Sequence, residues 1–317
     1  MAAFHKTNQY LLALAKVLVV VITFAYIFYR LRHNTELDFS VFASNLISKG
    51  FTTGYFLILF LILAATNWMF EIMKWRSLVS TIESIDFKTA LKQSLAALTV
   101  SLATPNRIGD YGAKALFFER EKRKRVLLLN FYSNGIQLLT TIIFGTVGLF
   151  YFLMEYEVVY SPKAIIGLGI GIFIILILGY FLRKKELLVK GFSIEKTFRY
   201  FQKFSNILKF KIFLLSILRY LVFSGMFYGL LLFFGAEITL STALALIFAM
   251  YLLVSIVPSI FIFDVVVRGG IAVWLFSFAG VSDLTVLSTV LVMWILNFVI
   301  PSIIGSYFVL SYQPVTQ

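Results

Sequence analysis

Long runs of apolar residues alternate with short polar segments along the whole chain. Six uninterrupted runs have about the length, roughly 20 residues, that a helix needs to cross ~30 Å of hydrocarbon. They cover residues 10–29, 52–73, 126–154, 162–182, 212–234 and 284–311. The pattern predicts six transmembrane helices. The first run is longer than the apolar core of a signal peptide and is therefore predicted to be retained as a helix.

Two further apolar stretches are interrupted by proline and by charged residues. Residues 89–118 break at Thr104-Pro105-Asn106, and residues 242–279 break around Val257-Pro258-Ser259. Most of the halves are too short to cross a membrane, so each stretch is predicted to be a broken helical hairpin. For 242–279, two full crossings stay open as an alternative, because its halves of about 16 and 20 residues nearly span.

Basic residues in the loops predict which side of the membrane each loop faces. Residues 183–211 carry nine Lys or Arg against two acidic residues, residues 119–125 five against two, and residues 74–92 four against two. The loops at 155–163, 235–241 and 280–284 are poor in Lys and Arg. Because cytoplasmic loops accumulate basic residues, the first three are predicted to be cytoplasmic, together with both termini. The first hairpin then enters from the cytoplasm and the second from outside.

These elements predict an all-α polytopic membrane protein, built as one domain of six full spans and two re-entrant hairpins. Residues 1–182 form a first half and residues 212–317 a second half, joined by the basic, aromatic-rich segment 183–211, which is predicted to be an interfacial helix on anionic lipid. Opposite hairpins suggest an inverted repeat. Interrupted apolar segments at corresponding places in two halves indicate the substrate site of a transporter.

The amino-acid composition limits the functions that the chain can have. Hydrophobic residues make up 60% of the 317 residues and charged residues 14%, whereas soluble domains carry about 25% charged residues. The net charge of +13 lies in loops beside apolar runs, which is typical of membrane orientation and not of nucleic-acid binding. There is no Cys, and His5 and His33 are the two histidines, so we expect no metal site and no cofactor. No nucleophile or nucleotide motif predicts a catalytic residue.

The first break holds three charged residues where hydrocarbon is expected. Arg107 and Asp110 are three residues apart, and Asp110 and Lys114 four apart, so all three can share one helix face. Each isolated charge at mid-membrane costs ~2.5 to 3.5 kcal/mol, so these groups need partners or a wet cavity. Pro105 suits the first turn of the second half-helix, whose free N–H groups favour a phosphate or carboxylate nearby.

The second break repeats this chemistry, with Asp264 and Arg268 four residues apart. One interpretation is that each break holds an ion pair that only allows the hairpin to be buried. The other is that Arg107 and Arg268 bind an anionic head group, while the acids hold them or carry a coupled proton. Around these charges, the predicted substrate site also includes the residues of the two breaks: Pro105, Asn106, Gly109 and Pro258.

Other polar residues in the predicted spans have simpler interpretations. Asn130, Asn134 and Gln137 recur on one face of the third span and Asn297 lies in the last, so we expect them to join helices. Three charged residues near the ends of spans are interpreted as snorkelling to the interface: Lys16, Glu71 and Arg219.

At the first break the chain resembles the transmembrane region of the lysylphosphatidylglycerol synthase family, the flippase domain of the bacterial multiple peptide resistance factor. That family carries Pro-x-Arg-x-Gly-Glu and a basic residue four positions on. The matching residues, with Asp for Glu and Lys for Arg, are Pro105, Arg107, Gly109, Asp110 and Lys114. The family's second segment contains Arg-Glu. Here Pro258, Arg268 and Gly269 match, glycine follows the arginine, and Asp264 stands one turn earlier.

The resemblance implies a translocase for an anionic phospholipid or a polyprenyl phosphate in the bacterial cytoplasmic membrane. The full-length resistance factors also carry a soluble aminoacyl-transfer domain, and no stretch of this chain is polar enough for one, so lysyl transfer is not expected. Two rival functions stay open: an integral transferase with Asp110 or Asp264 as base, and a scaffold that transports nothing. The sequence leaves the oligomeric state open, a homo-oligomer included.

Overall fold

The computed structural model describes residues 50–102, 104, 109–157, 193–256 and 264–313, and a few isolated positions between residues 21 and 186. Within these ranges the elements are helices, as the apolar pattern predicts. The predicted spans 10–29 and 162–182 lie outside the described residues, apart from isolated positions.

The helices are numbered here in chain order. They are α1 Gly50–Val79, α2 Phe87–Leu102, α3 Gly109–Leu116, α4 Arg120–Glu155, α5 Ile194–Gln202, α6 Asn206–Phe233, α7 Leu240–Ile256, α8 Asp264–Ser277, α9 Asp283–Trp294 and α10 Ile300–Leu310, with a π-helical segment, Ile295–Val299, between α9 and α10. Among the described residues, three helical segments are long and apolar enough to cross a membrane: Gly54–Val79, Arg120–Glu155 and Asp283–Leu310. The predicted spans 52–73, 126–154, 212–234 and 284–311 are thus all helical.

Both predicted breaks fall between helices that the structure describes. The first separates α2 and α3, of 16 and 8 residues, and the second separates α7 and α8, of 17 and 14 residues. At 1.5 Å per residue, each of these helices is shorter than ~30 Å of hydrocarbon. Ala90 near the start of α2 and Ala115 near the end of α3 share one buried cluster, so α2 and α3 run antiparallel. Their re-entrant position in the bilayer stays a prediction.

Short polar side chains define where several helices begin. Asp86 caps α2 by accepting a hydrogen bond from the Thr89 amide at 2.8 Å, and hydrogen bonds from Thr89 lower the pKa of the Asp86 carboxyl. Serine hydroxyls accept from the third amide of α5, α6 and α9 in the same way: Ser193, Ser205 and Ser282. Each cap satisfies an amide that has no partner inside its helix.

The predicted interfacial helix over 183–211 is too long. The described helix α5 covers nine residues, and α6 begins at Asn206, so the end of the basic segment belongs to the following span. Phe198 of α5 is exposed, whereas Phe201 and Phe204 pack with Tyr132 of α4, and Tyr200 packs with Phe204. Aromatic residues that the sequence assigns to lipid therefore partly anchor α5 to the protein.

The helices pack in a reciprocal pattern. Each helix of one half has a counterpart in the other half: α1 corresponds to α6, α2 to α7, α3 to α8, and α4 to the continuous α9–π–α10 helix. When counterparts are exchanged, the described helix–helix contacts map onto one another. For example, α2 packs on α10 as α7 packs on α4, α3 packs on α4 as α8 packs on α9, and α1 pairs with its own counterpart α6. Two halves related by an approximate two-fold axis would pack this way, which supports the predicted inverted repeat.

Glycines allow the closest of these reciprocal contacts. A Cβ added at Gly305 of α10 would overlap the carbonyl oxygen of Leu95 on α2, and one added at Gly148 of α4 would overlap the carbonyl oxygen of Ala245 on α7. Small residues let helix backbones approach where lipid gives no hydrophobic drive for association. Thr99 then donates to the Ser302 carbonyl at 3.0 Å across the α2–α10 contact.

Two apolar clusters divide the interior. The first cluster includes Trp75 and Leu78 of α1 and Ile212 of α6, and the second includes Ala64 of α1 and Tyr220 of α6. Polar residues of both helices lie where the two clusters meet. The fold therefore surrounds a narrow layer of charged side chains with apolar packing on both sides.

A proline explains a polar contact in the last helix. Pro301 has no N–H to donate to the carbonyl of Asn297 four residues earlier, and the chain forms its π-helical segment there. The Trp68 indole N–H of α1 donates to that carbonyl at 3.1 Å. The Asn67 side-chain amide donates to the Asn297 side-chain oxygen at 2.9 Å. The prediction that Asn297 joins helices is confirmed.

We predict that Gly305→Val lowers the yield of folded protein and its stability by about 1 to 3 kcal/mol, since the added side chain forces α10 away from α2. Gly225→Val is the matched control, because a Cβ at Gly225 meets no atom within 4 Å. Thermal unfolding in detergent measures both variants. Equal melting temperatures would contradict the close approach of α2 and α10.

We predict that Trp68→Phe destabilises the protein by about 1 kcal/mol, because the Asn297 carbonyl loses its indole donor. Pro301→Ala restores a main-chain donor to the last helix, so Trp68→Phe should cost less in a Pro301→Ala background. A double-mutant cycle of thermal unfolding measures the difference. Strictly additive effects would show that the indole does not compensate for the proline.

Candidate functional site

A buried carboxylate, Glu71 of α1, lies at the centre of the polar layer. Arg219 of α6 places its Nη1 2.6 Å from Glu71 Oε2, and Lys74 of α1 places its Nζ 3.0 Å from the same oxygen. Lys114 of α3 approaches Glu71 Oε1 to 3.9 Å. The Glu71 side chain is 9% exposed. Three helices thus bring three cations to one carboxylate that is nearly shielded from solvent.

The hairpin helix α3 contributes a second carboxylate. Asp110 Oδ1 lies 3.3 Å from Lys114 Nζ, which confirms the ion pair expected from their four-residue spacing. Asn130 of α4 bridges the two: its amide donates to Asp110 Oδ2 at 2.6 Å, and its oxygen accepts from Lys114 at 2.9 Å. We call the ionised side chains of this assembly, Glu71, Lys74, Asp110, Lys114 and Arg219, the charged cluster.

Amide and indole groups complete the surroundings of the lysines. Lys74 donates to Gln137 Oε1 of α4 at 3.3 Å, and Gln137 donates in turn to the Ser216 carbonyl of α6 at 3.4 Å. The Lys114 ammonium lies 4.7 Å from the centre of the Trp75 ring, a cation–π distance. Asn130 and Gln137 therefore join helices, as predicted, and both do so by contacting the cluster's lysines.

The charged cluster is not neutral. Its described members are three cations and two carboxylates, which leaves one positive charge in excess in a region where Lys74 and Lys114 are at most 3% exposed. A surplus charge is costly where the surroundings are apolar, and a bound anion would neutralise it. The chemistry of this arrangement therefore favours an anionic group at the cluster.

The structure locates part of the predicted binding site. It places Gly109, at the start of α3, and it brings Asp110 and Lys114 into the charged cluster. Asp264 begins α8, but its side chain lies outside what the structure describes. The remaining residues of the two breaks lie outside the described residues: Pro105, Asn106, Arg107 and Pro258.

Arg268 of α8 lies in a pocket of its own, which we call the Arg268 pocket. Aromatic and apolar side chains from α6, α7, α9 and the π-helical segment form its walls, among them Phe223, Phe227, Tyr251, Met293, Trp294 and Phe298. No member of the charged cluster lines this pocket. The described walls of this pocket are thus mainly aromatic and apolar.

The snorkelling interpretation of Glu71 and Arg219 is wrong. Glu71 is buried, and Arg219 bonds to it from a position 13 residues into α6, about 20 Å from the start of that helix. Lys16 lies outside the described residues. The sequence of α1 indicates a buried polar contact. Asn67, Glu71 and Lys74 recur at helical spacing and so share a face of an otherwise apolar segment.

A family comparison matches almost the whole chain. The family model for the lysylphosphatidylglycerol synthase TM region covers residues 12–305. The chain belongs to this family. No curated protein and no solved structure matches it. Together with the apolar helices, membership confirms the resemblance seen at the breaks, identifies a membrane protein and relates its function to membrane lipids.

The family match spans both halves of the chain, including all five residues of the charged cluster and the Arg268 pocket. Within the described ranges, no three His, Asp or Glu side chains come together as a metal-binding group. The described side chains of the site offer charges and hydrogen-bonding groups that are held on helices.

We predict stability losses of different size for two neutralising substitutions in the charged cluster. Glu71→Gln raises the surplus to two positive charges and should destabilise the protein by about 3 to 5 kcal/mol. Arg219→Gln balances the charges and should cost clearly less. Thermal unfolding of both variants in detergent measures this asymmetry, and a larger loss for Arg219→Gln would contradict the positive surplus.

Proposed function

We propose that this protein is a lipid flippase that moves a phosphate-bearing head group across the bacterial cytoplasmic membrane. The observation that carries the proposal is the charged cluster, in which a broken hairpin helix delivers Asp110 and Lys114 to a buried site with one excess positive charge. An anionic phospholipid or a polyprenyl phosphate would supply the missing negative charge. Membership of a family linked to membrane lipids supports a lipid as the carrier of that charge.

Each member of the cluster has a distinct part in the proposal. Arg219 is the member with the most open side chain, at 26% exposed, so it offers donors to an entering phosphate. Glu71 holds Arg219 in place, and Asp110 and Asn130 hold Lys114. Arg107, three residues before Asp110 in sequence, adds a further guanidinium from the same break.

The reciprocal helix packing supplies a route to alternating access. Transporters with inverted repeats move one bundle against the other around a site near the bilayer centre. In this chain, α2 packs on α10 and α7 on α4, so each hairpin contacts the long helix of the opposite half. A tilt of one half would therefore move both hairpins together and open the site to one leaflet at a time.

The membrane orientation follows from charge in the same proposal. The basic loops flanking the hairpin α2–α3 face the cytoplasm, where anionic lipids attract Lys and Arg. This puts the hairpin's entrance on the cytoplasmic side and the entrance of α7–α8 outside. Both termini are then cytoplasmic, and the chain is a single multi-pass membrane domain without a catalytic role.

We predict that Arg107→Gln, Arg219→Gln and Arg268→Gln each slow lipid transfer by more than tenfold, since each removes a charge-assisted contact to phosphate worth about 2 kcal/mol or more. Purified protein in vesicles containing a fluorescent phosphate-headed lipid gives the transfer rate. Arg199→Gln is the matched control, because Arg199 is an exposed arginine of α5 paired with Glu195.

Two results would count against transport by this site. Wild-type rates in all three variants would reject the assigned arginines. A lipid of altered mass after incubation with the wild-type protein, detected by mass spectrometry, would indicate the integral transferase instead.

A further inference from the structure

The hairpin helix α3 is short and is held at both of its ends by hydroxyl groups. Its eight residues are fewer than an isolated helix needs to be stable in water, so contacts outside the helix must keep it in place. At its start, the Thr104 hydroxyl accepts a hydrogen bond from the Gly109 amide at 2.8 Å. At its end, the Tyr312 hydroxyl donates to the Leu116 carbonyl at 2.7 Å. The two contacts differ in origin, because Thr104 belongs to the same hairpin and Tyr312 follows the last helix, α10.

Tyr312 contacts the end of α3 through its hydroxyl and through its ring. Leu116 is the last residue of α3, and the carbonyls of a last turn have no partner inside their own helix, so the tyrosine supplies a donor that α3 lacks. The Tyr312 ring also packs edge-on against Phe117, with the ring centres 5.1 Å apart. A hydrogen bond and an aromatic contact therefore join the end of α3 to the chain that follows α10.

The helix that Tyr312 holds carries charges of the candidate site. Asp110 and Lys114 lie on α3, and the Lys114 side chain, 3% exposed, reaches Glu71 of α1. Leu116 lies two residues beyond Lys114, so the Tyr312 contact and the charged cluster hold the same turn of α3. A displacement of α3 away from Tyr312 would therefore also withdraw Lys114 from Glu71 and open the cluster.

We propose that Tyr312 is a latch, whose hydroxyl keeps α3 docked with Lys114 in the charged cluster and whose release lets α3 undock and open the cluster. The latch rests on the proposed function, for which it names the contact that breaks when the site opens. Tyr312 acts through α3, so it is a positioning residue and not part of the binding site. One such hydrogen bond changes the equilibrium between docked and undocked α3 by a factor of about five, which biases the docked state and still allows release.

The variant Tyr312→Phe tests the latch because it removes the hydroxyl and keeps the ring that packs on Phe117. The chain has no cysteine, so a single introduced cysteine can report the position of α3. Ala115 of α3 is 6% exposed, and in purified Ala115→Cys protein the thiol should react slowly with a water-soluble maleimide. Tyr312→Phe should raise that rate about fivefold, because the reaction follows the population of undocked α3. Ala113, also 6% exposed on α3, provides a second reporter position.

Two controls separate undocking of α3 from a general loosening of the protein. Tyr307→Phe removes the hydroxyl of an exposed tyrosine of α10 and should leave the labelling rate of Ala115→Cys unchanged. Ala64→Cys reports a position of α1 that is about equally buried, at 5% exposed, and Tyr312→Phe should leave its rate unchanged as well. An unchanged rate at Ala115→Cys, or equal increases at both cysteines, would overturn the latch.

Inorganic phosphate separates the latch from the proposed function. If an anion binds the charged cluster while Lys114 is docked, phosphate at constant ionic strength should slow the labelling of Ala115→Cys in the Tyr312→Phe background. Faster labelling without protection by phosphate, in a protein that transfers no lipid, would support the latch and reject the anion site. Protection by phosphate, with Tyr312→Phe labelled at the wild-type rate, would support the anion site and reject the latch.

Discussion

The structure depends on one carboxylate that binds cations from three helices. Glu71 lies between Lys74 on its own helix, Lys114 on the hairpin and Arg219 on the antiparallel partner helix. In an apolar interior each of these charges alone would be strongly unfavourable, so their mutual attraction fixes how α1, α3 and α6 sit together. Apolar clusters pack on either side of this contact.

The surplus of one positive charge among the described members of this assembly is the basis of the proposed function. A fully neutral cluster would only hold helices together, as the amide contacts of Asn67 with Asn297 do. A cluster with three cations and two carboxylates remains attractive to an anion after every internal pair has formed.

Reciprocal packing joins the two halves of the chain. Close glycine contacts lock α2 to α10 and α4 to α7, so each hairpin is fixed to the opposite half and not only to its own. Close-packed interfaces of this kind shift as units because they do not deform continuously. In the proposed transport cycle, the same glycines would transmit a movement from one hairpin to the other.

The sequence by itself determined the helical class, the helices at four of the predicted spans and the Asp110–Lys114 pair. These follow from local rules: the length of an apolar run, the missing N–H of proline, and the four-residue spacing of a helix face. Only the tertiary structure decided that Glu71 and Arg219, 148 positions apart, form an ion pair. Near the end of an apolar run, a charge that snorkels and a charge that meets a partner on another helix have the same sequence pattern. The partner's direction depends on how α1 and α6 pack, and spacing along one chain segment does not contain that information.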